Sequence, residues 1–157
     1  NKQELNKVIM MKIDKTDEQI INELISNAKM PLRELASKLK VSFVTVMNRI
    51  KKLEKEGVIK EYNAKINHEK LGLGVHVLIE IRIAKGKLFE LEKKIARNPS
   101  VYAVYDTTGE YDATILAKFK STRVMDSFLK NLQTFDFVEK TNTKLVLNTI
   151  KEGQIKL

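Results

Sequence analysis

The spacing of the apolar residues changes at Gly57, and the change separates an all-helical first half from a second half that begins with strands. Before Gly57 apolar positions recur every three or four residues, as at Ile20 and Leu24, which indicates amphipathic helices. Beyond it they alternate with polar residues, as at Val77 and Ile79, which indicates strands. The chain of 157 residues is long enough for one domain or for two small domains of roughly 70–90 residues each.

The first half predicts three helices, and the sequence marks where each begins. Asp14 and Asp17 have the spacing of a capping box at the start of the first helix. Pro31 suits the first turn of the second helix, and Ser42 can cap the third. Gly57 is placed to end the third helix. Because only a short break separates the second helix from the third, the pair is typical of a helix-turn-helix.

A short strand and a linker are predicted after the third helix. Tyr62, Ala64 and Ile66 alternate with polar residues, as in a strand that forms a wing. The glycines near residue 72 mark a break in the chain. We therefore predict four segments: an N-terminal arm over residues 1–12, a winged helix-turn-helix domain over 13–67, a linker over 68–74 and a second domain over 75–157.

The second half predicts the element order β-α-β-β-α-β. The expected strands are 75–83, 101–107, 111–119 and 138–150, with helices around 88–95 and 124–132. This order is the split βαβ, or ferredoxin-like, arrangement, in which both helices cover one face of the sheet. Around residues 101–106 neither face of the strand is fully polar, so we expect the open face to be buried in an oligomer. The predicted fold class is α+β, a winged helix-turn-helix domain joined to a ferredoxin-like domain.

Basic residues concentrate on the third helix and the segments beside it. Residues 38–65 contain eight Lys or Arg and three Glu, and so supply +5 of the formal net charge of +9. An excess of this kind favours a polyanionic partner, although a basic helix face by itself is more commonly a solvated surface. Recognition helices contact bases in the major groove from their N-terminal ends. The residues predicted to contact DNA are Ser42, Val44, Thr45, Asn48, Arg49, Lys52 and, on the wing, Lys60.

The turn before the third strand of the second half contains groups that suit an amino-acid ligand. Gly109 permits close approach of a ligand, and exposed N–H groups there can bind an α-carboxylate. The carboxylate of Asp112 can bind an α-ammonium group. An ordinary hairpin turn, with Gly for geometry and Asp as an acceptor, is the alternative. The residues predicted to bind an effector are Gly109, Glu110, Tyr111, Asp112 and, on the last strand, Thr141 and Thr143.

Several classes of protein are disfavoured by what the sequence lacks. Without cysteine there is no disulfide framework, thiolate metal site or cysteine nucleophile. The histidines, His68 and His76, do not have metal-ligand spacing, and no nucleophile elbow or phosphate loop is present. We therefore expect no enzyme, metal or cofactor. No apolar run approaches the ~20 residues that span a bilayer, so we expect a cytoplasmic protein without a membrane partner.

Several short motifs follow one another through both halves of the chain. In the first half they are Asp14-x-x-Asp17, Pro31-Leu32-Arg33-Glu34-Leu35-Ala36 and Val46-x-x-Arg49-Ile50-x-x-Leu53. In the second half they are Val104-Tyr105-x-Thr107-Thr108-Gly109-x-Tyr111-Asp112 and Val138-Glu139-x-Thr141-x-Thr143. Over residues 13–152 the chain resembles the Lrp/AsnC, or feast/famine, transcription regulators, with their helix-turn-helix and their effector-binding RAM domain. The resemblance implies homodimers formed through the RAM sheets, often assembled into octamers, with small amino-acid effectors held between dimers.

The sequence therefore predicts a sequence-specific regulator that binds double-stranded operator or promoter DNA and responds to a small amino acid. Phe43 and Val44 are more apolar than the residues usual at this point of the family, and they suit contact with a thymine methyl group. Two alternatives stay open. One is an architectural, nucleoid-type protein that wraps DNA without an effector, and the other is a small-molecule enzyme that uses the second domain.

Overall fold

The computed structural model describes residues 11–157, with the side chains of Leu88 and Glu92 left aside, and these residues form two units. The first unit holds the chain up to Lys65 together with the tail Glu152–Leu157, and the second is Ile66–Lys151. The sequence predicts a boundary after residue 67, a separate linker over 68–74 and a tail in the second domain, whereas contacts within the chain group residues 66–74 with the second unit and the tail with the first. The predicted N-terminal arm lies outside the described residues, apart from its last two.

The first unit contains the three helices that the sequence predicts. They are α1 (Lys15–Ser26), α2 (Leu32–Leu39) and α3 (Phe43–Lys55). The capping box of α1 is present, since Asp14 accepts from the Asp17 N–H at 3.0 Å and donates its own N–H to the Asp17 carboxylate at 3.2 Å. Ser42 caps α3 by accepting from the Thr45 N–H at 3.0 Å. Gly57, at φ 70°, follows the end of α3 in the left-handed conformation that favours glycine.

One apolar face of each helix meets the others in the core of the first unit. The buried residues are Ile20, Leu24, Leu35, Ala36, Val46, Ile50 and Leu53. On α3 the predicted inward stripe is therefore confirmed, because Val46, Ile50 and Leu53 are all buried. Burying one side of α3 leaves its other side in solvent, where it is available to a partner.

The strand predicted over residues 62–66 is absent, and that prediction was wrong. Residues 60–67 have no regular secondary structure, and their side chains from 61 to 67 are exposed. A strand needs a neighbour for its N–H and C=O groups. Within residues 11–157 no strand pairs with this segment. Tyr62 instead donates its hydroxyl hydrogen to Glu54 on α3 at 2.7 Å, and partial desolvation of the hydroxyl together with this carboxylate raises the pKa of Tyr62 to about 12.

The second unit has the predicted order β-α-β-β-α-β. Its elements are β1 (Val75–Ile83), α4 (Leu88–Lys94), β2 (Val101–Asp106), β3 (Ala113–Phe119), α5 (Thr122–Gln133) and β4 (Val138–Leu145), with a 3₁₀ turn at Glu69–Leu71 before them. The strands form one antiparallel sheet in the order β2-β3-β1-β4. β4 is shorter than predicted: its last paired residue is Leu145, opposite Val77, and Val146 adds one further backbone hydrogen bond, to the His76 carbonyl at 2.9 Å.

The two faces of this sheet differ in burial. On one face Val77, Ile79 and Ile81 of β1 are fully buried, together with Leu91 and Ile95 near α4 and Leu132 of α5. The opposite face, which we call the open face, carries partly exposed or exposed side chains. They include His76, Leu78, Glu80 and Arg82 of β1 and Tyr105 of β2. The open face matches the expectation of a surface not covered by helices, and its burial in an oligomer stays a prediction.

Candidate DNA-binding surface and effector turn

The exposed side of α3 carries most of the residues predicted to contact DNA. Ser42, Val44, Asn48 and Lys52 are exposed, and Thr45 is half-buried. Because α3 is fixed by its buried stripe and by the Ser42 cap, these side chains project from a rigid helix. The hydroxyl of Ser42 also lies 2.8 Å from that of Thr45, so the start of the helix is held by side chains as well as by packing. Together these residues form what we call the α3 surface.

Lysines surround the α3 surface. The exposed cations on and beside α3 are Lys38, Lys40, Lys51, Lys52, Lys55 and Lys60. Lys38 forms an ion pair with Glu23 at 2.6 Å. Within the described part of the chain no ion pair engages the other five. Cations without carboxylate partners are available to neutralise phosphates, which is the electrostatic basis of DNA affinity.

Arg49 is the exception among the predicted DNA contacts. Its Nη1 donates to the carboxylate of Asp14 and, at 3.1 Å, to that of Asp17, whose residue is only 1% exposed. The Asp17 backbone N–H and then the Arg49 guanidinium hold the pKa of Asp14 below its ordinary value. The guanidinium of Arg49 thus connects α3 to the start of α1, and its contact with base edges or phosphates stays a prediction.

Two residues outside the predicted set belong to the same region. Phe43 is 42% exposed at the first position of α3. The guanidinium of Arg33, from α2, lies 5.9 Å from the centre of its ring, which is a cation–π distance. No local pattern in the sequence indicates this contact, because the two residues lie on different helices.

The turn between β2 and β3 is built as a tight hairpin connection. Thr107 donates its N–H to the Asp112 carbonyl at 2.9 Å and its hydroxyl hydrogen to the Tyr111 carbonyl at 3.2 Å. Gly109 has φ 119°, a conformation that L side chains rarely adopt. Asp112 accepts from the Ile83 N–H at 2.8 Å, so its carboxylate anchors the turn to the end of β1. The structural role that we gave as the alternative is thus present for both Gly109 and Asp112.

Glu110 joins a cluster of charges on the open face. Its carboxylate accepts from Lys140 Nζ at 2.9 Å, and its carbonyl accepts from the guanidinium of Arg82 at 2.8 and 3.0 Å. The ring of Tyr111 also lies 5.5 Å from Lys140 Nζ. The hydrogen bond from Lys140 is the main reason that the pKa of Glu110 lies below its ordinary value. These groups are therefore partly satisfied within the protein.

The two predicted threonines lie on the other face of the sheet. Thr141 is paired with Ile81 and Thr143 with Ile79, and directly opposed residues of antiparallel strands share a face. That face is the helix-covered one. Lys140, paired with Arg82, lies on the open face with the side chain of Glu110. The structure therefore brings the turn residues together but does not bring the threonines to Glu110.

Other kinds of site find little support in residues 11–157. No group of three or more His, Cys, Asp or Glu is placed there to hold a metal ion. The two histidines lie in different surroundings. His76 Nε2 is 2.6 Å from the Tyr102 hydroxyl, and His68 directly precedes the 3₁₀ turn. None of the helices in this part of the chain has the length and apolar character that crossing a membrane requires.

Two family profiles match the chain, and they divide it much as the structure does. Residues 13–60 match a winged helix-turn-helix DNA-binding profile, and residues 76–155 match the Lrp/AsnC ligand binding domain. An uncharacterised helix-turn-helix transcriptional regulator of Pyrococcus furiosus is 45% identical over 142 residues, which cover 90% of this chain and 96% of that protein. The transcriptional regulator FL11 of the same organism is 35% identical over 140 residues, covering 89% and 93%.

Solved structures of similar regulators share the fold. The AsnC protein of Escherichia coli superposes with a TM-score of 0.87 at 28% identity, covering 94% of this chain and all of that one. A transcriptional regulator of Neisseria meningitidis, solved as a complex with L-methionine, also superposes with a TM-score of 0.87, at 27% identity and with 93% and 96% coverage.

Proposed function

The chain belongs to the Lrp/AsnC family of DNA-binding transcription regulators, and we propose that it recognises a specific DNA sequence and changes its DNA affinity or assembly when a small amino acid binds. The observation that carries the proposal is the α3 surface. Its polar side chains stand at the start of a rigid helix, and the five lysines on and beside α3 are engaged by no carboxylate among residues 11–157.

The α3 surface supports major-groove binding by the chemistry of its residues. B-DNA admits one α-helix in its major groove, and an Asn side chain can pair with adenine through two hydrogen bonds. Asn48 is exposed and placed for such a contact, with Thr45 and Val44 one turn nearer the start of α3. Lys52 and Lys60 are proposed to contact phosphates. These phosphate contacts supply much of the affinity and make it fall with salt.

The open face of the second unit supports a homodimer. Its exposed tyrosines and the half-buried Leu78 and Leu116 form a mixed surface that helices do not cover. A dimer through this face presents two copies of α3. They would enter successive major grooves roughly 10 base pairs apart, or a multiple of that distance. Assembly into octamers, which the family resemblance implies, is part of the same proposal.

We propose that the turn around Gly109 and Asp112 holds the effector. The carboxylate of Asp112 accepts one backbone N–H and retains lone pairs for an α-ammonium group. The L-methionine complex of the Neisseria regulator supports an amino acid as the class of ligand. Thr141 and Thr143 take part only with a ligand that reaches the helix-covered face at the edge of β4. An effector shifts assembly only by its differential affinity for the two states.

Titration of the full chain onto the DNA upstream of its own coding sequence, and onto a scrambled duplex, tests the proposal. Both are measured at two salt concentrations, with and without a mixture of the twenty amino acids. We expect preference for the natural sequence, and a change in that preference with amino acids. Equal binding to both duplexes with steep salt dependence would instead identify an architectural protein. A preference that amino acids leave unchanged would remove the effector from the proposal.

A further inference from the structure

Two apolar side chains stand next to each other at the start of α3, on a surface that is otherwise polar and basic. Phe43 is 42% exposed and Val44 is 56% exposed. Single exposed apolar residues are common on proteins. Here, however, the pair occupies the end of the helix from which recognition helices contact bases, and it is flanked by Ser42, Thr45 and Asn48.

Neither side chain belongs to the core of the first unit. Its core is built from α1, α2 and the stripe Val46, Ile50 and Leu53 of α3, and Phe43 and Val44 are not among the residues that pack against it. The ring of Phe43 is instead accompanied by the guanidinium of Arg33, 5.9 Å from its centre. This contact restricts the ring without burying it.

DNA offers such side chains one apolar feature in the major groove, the 5-methyl group of thymine. The remaining base edges are hydrogen-bond donors and acceptors, and the backbone is anionic. We propose that Phe43 and Val44 contact thymine methyl groups and so make the protein specific for thymine at defined positions of each half-site. The inference rests on the proposed DNA-binding function and deepens it, because it names the base that this part of the surface recognises.

The charge around the pair favours DNA over an apolar protein partner. Lys40 lies before the cap of α3, Lys51 and Lys52 lie further along the helix, and Arg33 touches Phe43. A protein partner that buried Phe43 and Val44 would also have to desolvate or pair these cations. A DNA duplex pairs them with phosphates while its groove receives the apolar side chains.

Replacing thymine with deoxyuridine tests the inference, because the two bases pair identically with adenine and differ only by the 5-methyl group. A preferred duplex is first selected from a randomised pool by the full chain. Each thymine of one half-site is then replaced in turn, and affinity is measured by fluorescence anisotropy. We expect a loss of about fourfold at each contacted position, the effect of losing one buried methyl group, and no loss elsewhere.

Two variants assign the contacts to side chains. Val44→Ala and Phe43→Ala are each expected to abolish the difference between thymine and deoxyuridine at one position while keeping the wild-type far-UV circular dichroism. Val124→Ala is the matched control, since Val124 is a 45% exposed valine on α5 of the second unit. It should keep the wild-type ratio at every position.

The outcomes separate the inference from the function on which it rests. If a sequence is selected but every deoxyuridine duplex binds as well as its thymine counterpart, the inference is overturned and DNA recognition stands. The same holds if Val44→Ala and Phe43→Ala weaken both duplexes equally and leave the ratio unchanged. If the full chain selects no sequence, the proposed sequence-specific function is overturned and the inference with it.

Discussion

The α3 surface and the turn at residues 107–112 differ in how their residues are brought together. The α3 surface comes from one helix, so its shared side follows from helical periodicity alone. The turn depends on β1, β2, β3 and β4, whose pairing decides which side chains share a face. The difference teaches that the side chains which share a face can be predicted residue by residue within one helix. Between strands the same question depends on pairing and register, which the sequence does not give.

The largest expected effect comes from the core beneath the α3 surface. Leu53→Ala should reduce the stability of the first unit by about 2–5 kcal/mol, because Leu53 is fully buried and its truncation leaves a cavity. Hydrogen exchange measured at increasing urea concentrations gives the free energy of unfolding of each unit separately. We expect DNA binding to fall while the amides of β1 and β3 keep their protection. Equal loss of protection in both units would mean that they do not unfold separately.

Comparing Arg49→Ala with Lys52→Ala tests which of these two basic residues of α3 stabilises the fold and which contacts DNA. It removes the guanidinium that pairs with Asp17, which is 1% exposed, and a buried polar group left unsatisfied costs about 1–3 kcal/mol. Lys52→Ala is the control, since Lys52 is an exposed cation on the same helix. We expect thermal unfolding to shift for Arg49→Ala and not for Lys52→Ala.

For DNA affinity we expect the opposite result: Lys52→Ala should have the larger effect and Arg49→Ala the smaller. Lys52→Ala is expected to weaken binding and to reduce the slope of log affinity against log salt by about 0.9, the effect of one phosphate contact. Arg49→Ala, measured below its unfolding transition, should keep the wild-type slope. A reduced slope for Arg49→Ala would place its guanidinium on the DNA after all.

Two substitutions of Asp112 distinguish its structural role, accepting from the Ile83 N–H, from its proposed role in binding the effector. Asp112→Asn keeps an oxygen that accepts from the Ile83 N–H, whereas Asp112→Ala leaves that N–H without its acceptor. We therefore expect Asp112→Ala to lose about 1–3 kcal/mol of stability and Asp112→Asn to lose much less. Calorimetry should show loss of amino-acid uptake in both variants. Normal uptake by Asp112→Asn would contradict a role for the carboxylate charge in binding.

The smallest expected effect is a pH dependence at Glu110. Lys140 lowers the pKa of Glu110 from its ordinary 4.5, so their ion pair stabilises the fold fully above that value. As the pH falls below 4.5 and through the lowered pKa, the carboxylate is protonated and the contribution is lost. The difference in Tm between the wild type and Glu110→Gln should therefore shrink below this pH. Glu139→Gln is the control substitution, since it removes an exposed carboxylate of β4 and leaves the Glu110–Lys140 ion pair in place.

Much of the fold could be predicted because its signals are local. The capping box at Asp14, the cap at Ser42 and the end of α3 at Gly57 each involve residues within one turn of a helix, and all are confirmed. The β-α-β-β-α-β order followed from periodicity in the same way. The prediction of a wing strand was wrong because pairing between strands is not a local property. The alternation at residues 62–66 is also local, but a strand needs a partner that sequence alone does not supply.

What the sequence by itself determined is the three helices of the first unit, the β-α-β-β-α-β order of the second, the basic surface on α3 and the family to which these motifs belong. Only the tertiary structure decided which of those residues face outward. Arg49 is basic and lies on the right helix, yet it is paired with two aspartates more than thirty residues earlier in the chain. Thr141 and Thr143 have suitable hydroxyls, yet the register of β4 on β1 places them on the helix-covered face. The physical reason is the same in both cases. Periodicity fixes the direction of a side chain within its own element, and only packing between elements fixes what that side chain meets.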